Sequence, residues 1–315
     1  MQQMQKKLII ASSPHIRDSV TTRRIMQEVC LALAPAGIAG IVYFGVDALK
    51  LILISVCTCV LTEYLYQRLM NQKVTAGDWS AVVTGLLIAY NVPASAPWWI
   101  PVVGGVFAIL LVKQLFGGIG SNFANPALTA RAVLFISWGS IMGSYPVTRY
   151  MEDAVSSATP LALLQQDPSQ VSVWTLLIGN HGGVLGETCA IALILGGVYL
   201  IIRGIADWRI PVSFICTAFV CFLLQGGFDL ALKEVLAGGL LLGAFFMATD
   251  YATTPTSVPG RFIMGAGCGL LLFLIRAFAN YPEGCSFAIL FMNVMTPMID
   301  RFTMPKYFGE VKKHG

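Results

Sequence analysis

Long apolar runs, broken by charged residues or by Pro/Gly clusters, dominate the chain, and their spacing predicts ten helices. The runs are 25–46, 48–69, 79–92, 98–116, 126–142, 185–202, 210–225, 233–249, 261–279 and 285–299. The stretch between Asp78 and Lys113 carries no charge, but Pro93, Pro97 and Pro101 divide it into two spans. The first of these allows only about 20 Å of helix at ~1.5 Å per residue, short of the ~30 Å hydrocarbon layer. The segment between Glu234 and Asp250 is equally brief. The two look alike: Thr84-Gly85-Leu86-Leu87-Ile88-Ala89 matches Leu242-Gly243-Ala244-Phe245-Phe246-Met247, and each leads into a connection rich in proline and small residues. Paired short segments at corresponding places in two five-helix halves predict an internal repeat, and an odd number of spans per half makes it inverted. The expected fold class is an all-α polytopic membrane protein with ten transmembrane helices in two inverted five-helix repeats, 25–142 and 185–302. Segments 1–24 and 303–315 flank the repeats, and 143–184 separates them.

Composition supports a membrane setting. Of 315 residues, 11% are charged and 56% hydrophobic, with a mean hydropathy of +0.73. An ordinary soluble domain carries about 25% charged residues. This excludes a soluble enzyme, a disordered chain and a nucleic-acid-binding module. The net charge of +4 matters less than its distribution. With the N-terminus inside, inner segments hold the Lys and Arg residues of 1–24, 68–73, 203–209 and 301–313, together with Lys113 and Arg261; Arg131, near the start of the fifth span, joins this set. Outer segments hold only Lys50, Arg149, Lys233 and Arg276. The positive-inside rule then predicts a multi-pass membrane protein with both termini cytoplasmic and the 143–184 loop extracytoplasmic. The polar segment 1–24 shows no cleavable signal-peptide pattern.

Acidic residues in or at the ends of apolar spans are costly and often functional. Glu63 and Asp250 each read two ways: as an ion ligand, or as the partner of a nearby cation, Arg68 for Glu63 and Arg261 for Asp250. Asn122 and Asn125 precede the fifth span and suit a helix cap, with Pro126 in the first turn. Gly117, Gly118 and Gly120 lack the Lys-Ser/Thr of a phosphate loop and read as a hinge. Trp98, Trp99 and Trp138 read as interfacial anchors. The eight cysteines and three histidines show no ligand spacing for a metal or cluster. The loop sequence Asp153-Ala154-Val155-Ser156-Ser157-Ala158-Thr159-Pro160-Leu161 reads, from its residues alone, as a turn entering a short helix capped by Ser156 or Thr159.

Several longer motifs carry a family resemblance: Ala11-Ser12-Ser13-Pro14-His15, Lys113-Gln114-Leu115-Phe116-Gly117-Gly118-Ile119-Gly120 followed by Asn122 and Asn125, Leu242 through Asp250, and Tyr281-Pro282-Glu283-Gly284 through Ile299-Asp300. Over nearly its whole length the chain resembles the D subunit of the Rnf complex, the ion-translocating ferredoxin:NAD oxidoreductase. That family is related to the B subunit of the sodium-pumping NADH:quinone reductase. The short polar N-terminal segment is closer to the Rnf family.

The resemblance implies FMN esterified through phosphate to Thr159, with Ser156 and Ser157 as neighbouring hydroxyls and Asp153 read by the transferase. Ser157 stands where relatives often carry Gly. It implies that Asn122 and Asn125 shape a cofactor pocket near the inner face. It leaves room for a second, non-covalent flavin such as riboflavin. It implies a bacterial or archaeal cell membrane as the location, the A, B, C, E and G subunits of the Rnf complex as partners, access to ferredoxin and NAD through them, and no activity of this chain alone. Inverted repeats with short broken helices also occur in secondary transporters; the outer hydroxyl motif separates the two readings.

Overall fold

The computed structural model describes residues 20–146, 148–149, 159–279 and 283–304. Asp153, Ser156 and Ser157 lie outside the described residues, as does the 11–15 motif. Among the described residues the regular structure is helical, apart from one isolated antiparallel bridge between Pro93 and Val184.

The first half runs α1 (Thr22–Phe44), α2 (Val46–Leu69), α3 (Ser80–Tyr90), α4 (Trp99–Gln114) and α5 (Pro126–Ser137). Thr21 caps α1 through its hydroxyl, and Asn125 caps α5 by accepting from the N–H groups of Ala127 and Leu128. α3 lies backbone to backbone on α2. A Cβ on Gly85 would sit 2.7 Å from Val56 Cα, and the Ser55 hydroxyl donates to the Gly85 carbonyl at 2.7 Å. The last turns of α4 widen to i→i+5 bonding, as in Leu115 N–H to Leu110 O, which turns Lys113 into the interior. Gly117, Gly118 and Gly120 then take positive φ, so the hinge between α4 and α5 forms where the sequence predicts it.

Two small helices follow, α6 (Pro160–Gln166) and α7 (Val173–Ile178). The second half is α8 (Ala190–Ile202), α9 (Arg209–Leu236), α10 (Leu240–Leu242, continued by the wide turn Gly243–Met247), α11 (Val258–Phe278) and α12 (Cys285–Thr303). α1 packs on α8, α2 on α3 and α4, α9 on α11, and α11 on α12, while α5 and α12 join the halves.

Among the described residues four helices, α1, α2, α9 and α11, are long and apolar enough to cross a membrane; α3, α4, α5 and α8 are apolar but shorter. Their outward faces expose large apolar side chains such as Leu31, Leu53, Leu224 and Phe278, a surface suited to lipid.

Boundaries differ from expectation in three places. The run 185–202 becomes helical only at Ala190, because residues 182–188 are buried in a non-helical path. There the Gly186 N–H donates to the Tyr90 carbonyl at 2.9 Å, which gives that backbone a partner away from any helix. The run 210–225 ends where expected, at Gly226–Gly227, whose non-helical backbone divides α9 into two helical parts; the second part runs on to Leu236, and a further break at Ala237–Gly239 divides the run 233–249. The run 126–142 divides at Trp138 into α5 and the single turn Gly139–Met142.

Candidate functional site

Among the described residues, three groups of buried polar side chains bear on the residues singled out by the sequence. The first ties the start of α3 to α2 and α4. Glu63 is 1% exposed and pairs with Lys113 Nζ at 2.7 Å. Lys113 also donates to Ser80 Oγ at 2.6 Å, and Gln67 Nε2 donates to the second Glu63 oxygen at 3.3 Å. The expected partner Arg68 instead takes the Tyr64 hydroxyl as its acceptor on the exposed side of α2. Glu63 points the other way, into the protein, where the widened end of α4 delivers Lys113. Removing one member of a buried pair leaves an uncompensated charge and costs about 3–5 kcal/mol. Glu63→Ala is therefore expected to lower the melting temperature of the purified chain sharply. Glu63→Gln combined with Lys113→Met should recover most of the loss.

The second group surrounds a cavity of about 100 Å³ beside the first turns of α3, lined among others by Thr84, Asn122, Asn125, Phe246 and Asp250. Asn125 combines two roles: its oxygen caps α5 and its Nδ2 donates to the Met247 carbonyl at 3.2 Å. Asn91, at the end of α3, places its Nδ2 3.8 Å from Met247 Sδ. The ends of the two short helices α3 and α10 thus meet at Met247.

Among the described residues Asn122 caps no helix, and its Oδ1 is buried without a partner. Asp250 does not pair with Arg261, which joins Arg209 on Asp207 instead. The Asp250 carboxylate accepts from the Thr253 hydroxyl at 3.4 Å. Packing around this carboxyl pushes its pKa up from the usual carboxylate range, against the backbone N–H of Ala252, which favours the charged form.

The third group is centred on Arg131, halfway along α5. Its guanidinium donates to Asn91 Oδ1 at 2.6 Å, to Glu187 at 3.2 Å and to Glu283, and the Tyr145 hydroxyl reaches the other Glu283 oxygen at 3.4 Å. Burial pushes the Tyr145 phenol up to about 12, so it stays protonated and donates. Arg131 is therefore not an inner-surface charge. The sequence reading missed this cluster, although its signal was present: a lone Arg in an apolar helix needs buried acids to face it.

Thr159 immediately precedes α6. Its Oγ1 accepts from the Ala162 N–H at 3.3 Å, and Pro160 occupies the first helical position, so of the two predicted caps Thr159 takes the role. It is 6% exposed, and α6 seats Leu161 and Leu164 in the core.

Comparison with known proteins places the chain in a family. The sequence model of the NQR2, RnfD, RnfE family matches residues 9–309. The chain belongs to this family. It is 50% identical to the D subunit of the Na⁺-translocating ferredoxin:NAD⁺ oxidoreductase complex of Acetobacterium woodii, covering 97% of this chain and 96% of the relative. The D subunit of the proton-translocating ferredoxin:NAD⁺ oxidoreductase complex of Clostridium ljungdahlii is 39% identical, over 95% of this chain and 96% of its own. The D subunit of the ion-translocating oxidoreductase complex of Escherichia coli (strain SMS-3-5 / SECEC) is 36% identical, over 96% and 99%. Family membership and the long apolar helices together make this a multi-pass membrane protein.

Proposed function

We propose that this chain is the D subunit of a membrane complex that couples electron transfer from ferredoxin to NAD with movement of Na⁺ or H⁺, and that it carries FMN as a phosphoester on Thr159. The observation that carries the reading is the half-identical Acetobacterium protein, matched along nearly the full length of both chains. The family and the helices indicate a redox pump component. The A, B, C, E and G subunits bring ferredoxin and NAD to it.

The residues present fit the flavin. Thr159 offers a hydroxyl at the head of a helix whose anchors are Leu161 and Leu164, not the hydroxyl itself. FMN bound there supplies one- or two-electron transfer. Asp153, Ser156 and Ser157 stay part of the proposed transferase motif.

Beside the first turns of α3, the Asn122 Oδ1, without a partner among the described residues, would accept an N–H from a second flavin of the riboflavin type. The cavity of about 100 Å³ adjoins another of about 310 Å³, and both are lined by Ile205, Ala206, Thr249 and Tyr251. Tyr251 donates its hydroxyl to the Ile205 carbonyl between them, so a ring-sized ligand requires Tyr251 to turn. On the ion path, Glu63 is neutralised by Lys113, whereas Asp250 has no cation in salt-bridge range among the described residues. Asp250 is the stronger candidate of the two for meeting a moving cation.

The ten-helix inverted repeat is the architecture proposed for this machinery. It draws support from the meeting of α3 and α10 at Met247, since inverted repeats bring their short helices together near the midplane. The orientation has both termini cytoplasmic and 143–184 outside, on the basic-residue distribution. Ser172 and Lys73 are both exposed. A cysteine at Ser172, in an otherwise cysteine-free variant, is expected to react with an impermeant thiol reagent added to intact cells. A cysteine at Lys73 is expected to react only after permeabilisation. The reverse pattern overturns the orientation.

A further inference from the structure

Each half of the chain holds the entry to its short helix with a buried ion pair, and the two pairs are built alike. In the first half Glu63 of α2 meets Lys113 in the last turn of α4, and Lys113 also donates to Ser80, the first residue of α3. In the second half Glu234 of α9 meets Arg276 in the last turn of α11 at 2.9 Å. Arg276 also donates to the carbonyl of Ala237, in the break before α10, at 3.1 Å. None of these four side chains is more than 8% exposed. Buried ion pairs are often no more stabilising than apolar packing, so their recurrence at corresponding places points to a use other than stability.

Three oxygens converge on the Arg276 guanidinium. Nη1 donates to the Glu234 carboxylate and, at 2.6 Å, to the Glu234 carbonyl, while Nη2 holds the Ala237 carbonyl. Gly238 takes positive φ there, and a Cβ on it would stand 3.1 Å from Nη2, so glycine lets the break close on the guanidinium. Carboxylate and carbonyl oxygens are the ligands of hard cations. Arg276 thus fills, with a charge tethered to the protein, a place that suits a mobile one.

Both pairs have room beside them. Lys113 and Ser80 line the cavity of about 100 Å³ at the first turns of α3, and Glu234 and Arg276 line one of about 470 Å³ walled by α6, α9 and α11. A buried carboxylate without a counter-charge is strongly unfavourable, so Arg276 leaves Glu234 only when another cation arrives or a proton neutralises the acid. On the orientation proposed above the pairs lie toward opposite faces, Lys113 inside and Arg276 outside.

We propose that Glu234 and Arg276 form the outer gate of an ion path, the counterpart of Glu63 and Lys113 at the inner face. Arg276 keeps the gate shut while it sits on Glu234, and moves into the cavity when a monovalent cation, Na⁺ or H⁺, takes over the carboxylate. The proposal rests on the ion-pumping reading above and on its orientation. The purified complex in lipid vesicles is treated briefly with phenylglyoxal, which crosses the bilayer and modifies accessible arginines, at rest and during ferredoxin-driven NAD reduction. Peptide mass mapping reads each site, and uptake of radioactive sodium and acidification of the lumen read which cation moves.

Arg276 is expected to react several-fold faster during turnover than at rest, while the similarly buried Arg131 stays unmodified in both conditions. An Arg276 that is unreactive throughout, or equally reactive in both conditions, overturns the gate. So does a matching rise at Arg131, which reports general loosening. Glu234→Gln combined with Arg276→Met removes both charges; it should melt like the parent yet take up the cation several-fold more slowly. Uptake at the parent rate overturns the gate and leaves the pumping reading standing. If that variant fails to assemble, the arginine reactivity of the parent decides alone. A parent complex that reduces NAD but moves neither cation removes the pumping reading itself, and the gate with it.

Discussion

Replacing Thr159 by valine is expected to leave the complex assembled while abolishing both the ultraviolet-fluorescent band of the denatured chain and ferredoxin:NAD oxidoreductase activity. Valine keeps the branched shape and removes the one atom that can be esterified. It also removes the cap bond from the Ala162 N–H, and losing a cap costs about 1 kcal/mol. That is too little to undock α6, whose Leu161 and Leu164 are buried in the core. Thr159→Asn separates the two roles. Asparagine caps helices as well as threonine but offers no hydroxyl, so this variant should be as stable as the parent and still dark. A fluorescent band in either variant would contradict the assignment, as would full activity.

The second large effect concerns Arg131. One guanidinium faces two buried carboxylates, Glu187 and Glu283, and also holds Asn91. Arg131→Leu leaves both acids without the cation that hydrogen-bonds them, where removing one partner of a single buried pair already costs about 3–5 kcal/mol. The chain is expected to lose its monodisperse peak in detergent. The triple variant Arg131→Leu, Glu187→Gln, Glu283→Gln removes the charges together and should restore the peak. If Arg131→Leu alone migrates like the parent, the cluster is not an interior clamp.

The consequences of both variants trace to how the halves meet. Asn91 links the two regions, accepting from Arg131 through its oxygen and reaching Met247 through its nitrogen. Arg131 thereby fixes the end of α3 next to the end of α10, and Asn125 fixes the same end of α10 from α5. Loss of Arg131 is expected to loosen the cavity around Asn122 as well as the cluster itself.

What the sequence disclosed was local. The Asn125-Pro126 cap, the Thr159-Pro160 cap and the glycine hinge at 117–120 are set by residues within one turn of each other, and each appears as predicted. Apolar runs located the helices because each must bury or face lipid with one composition throughout. What stayed hidden depends on residues far apart in the chain. Glu63 and Lys113 are fifty positions apart, and nothing near Glu63 points to α4 over the neighbouring Arg68. Asp250 sits near Arg261 in sequence, yet Asp207 holds that arginine. The 182–188 stretch is apolar enough to resemble the start of a span, but its backbone bonds to the segment after α3, and no local signal specifies that pairing. Asp153, Ser156 and Ser157 lie outside the described residues, so their part in the motif rests on the family resemblance.

The most direct test of the flavin assignment is peptide mass mapping of this chain from the purified complex. The peptide containing Thr159 is expected to gain the mass of FMN less one water, with fragmentation placing the addition on Thr159 and not on Ser156 or Ser157. An unmodified Thr159 peptide, or FMN attached at any other residue, would contradict it.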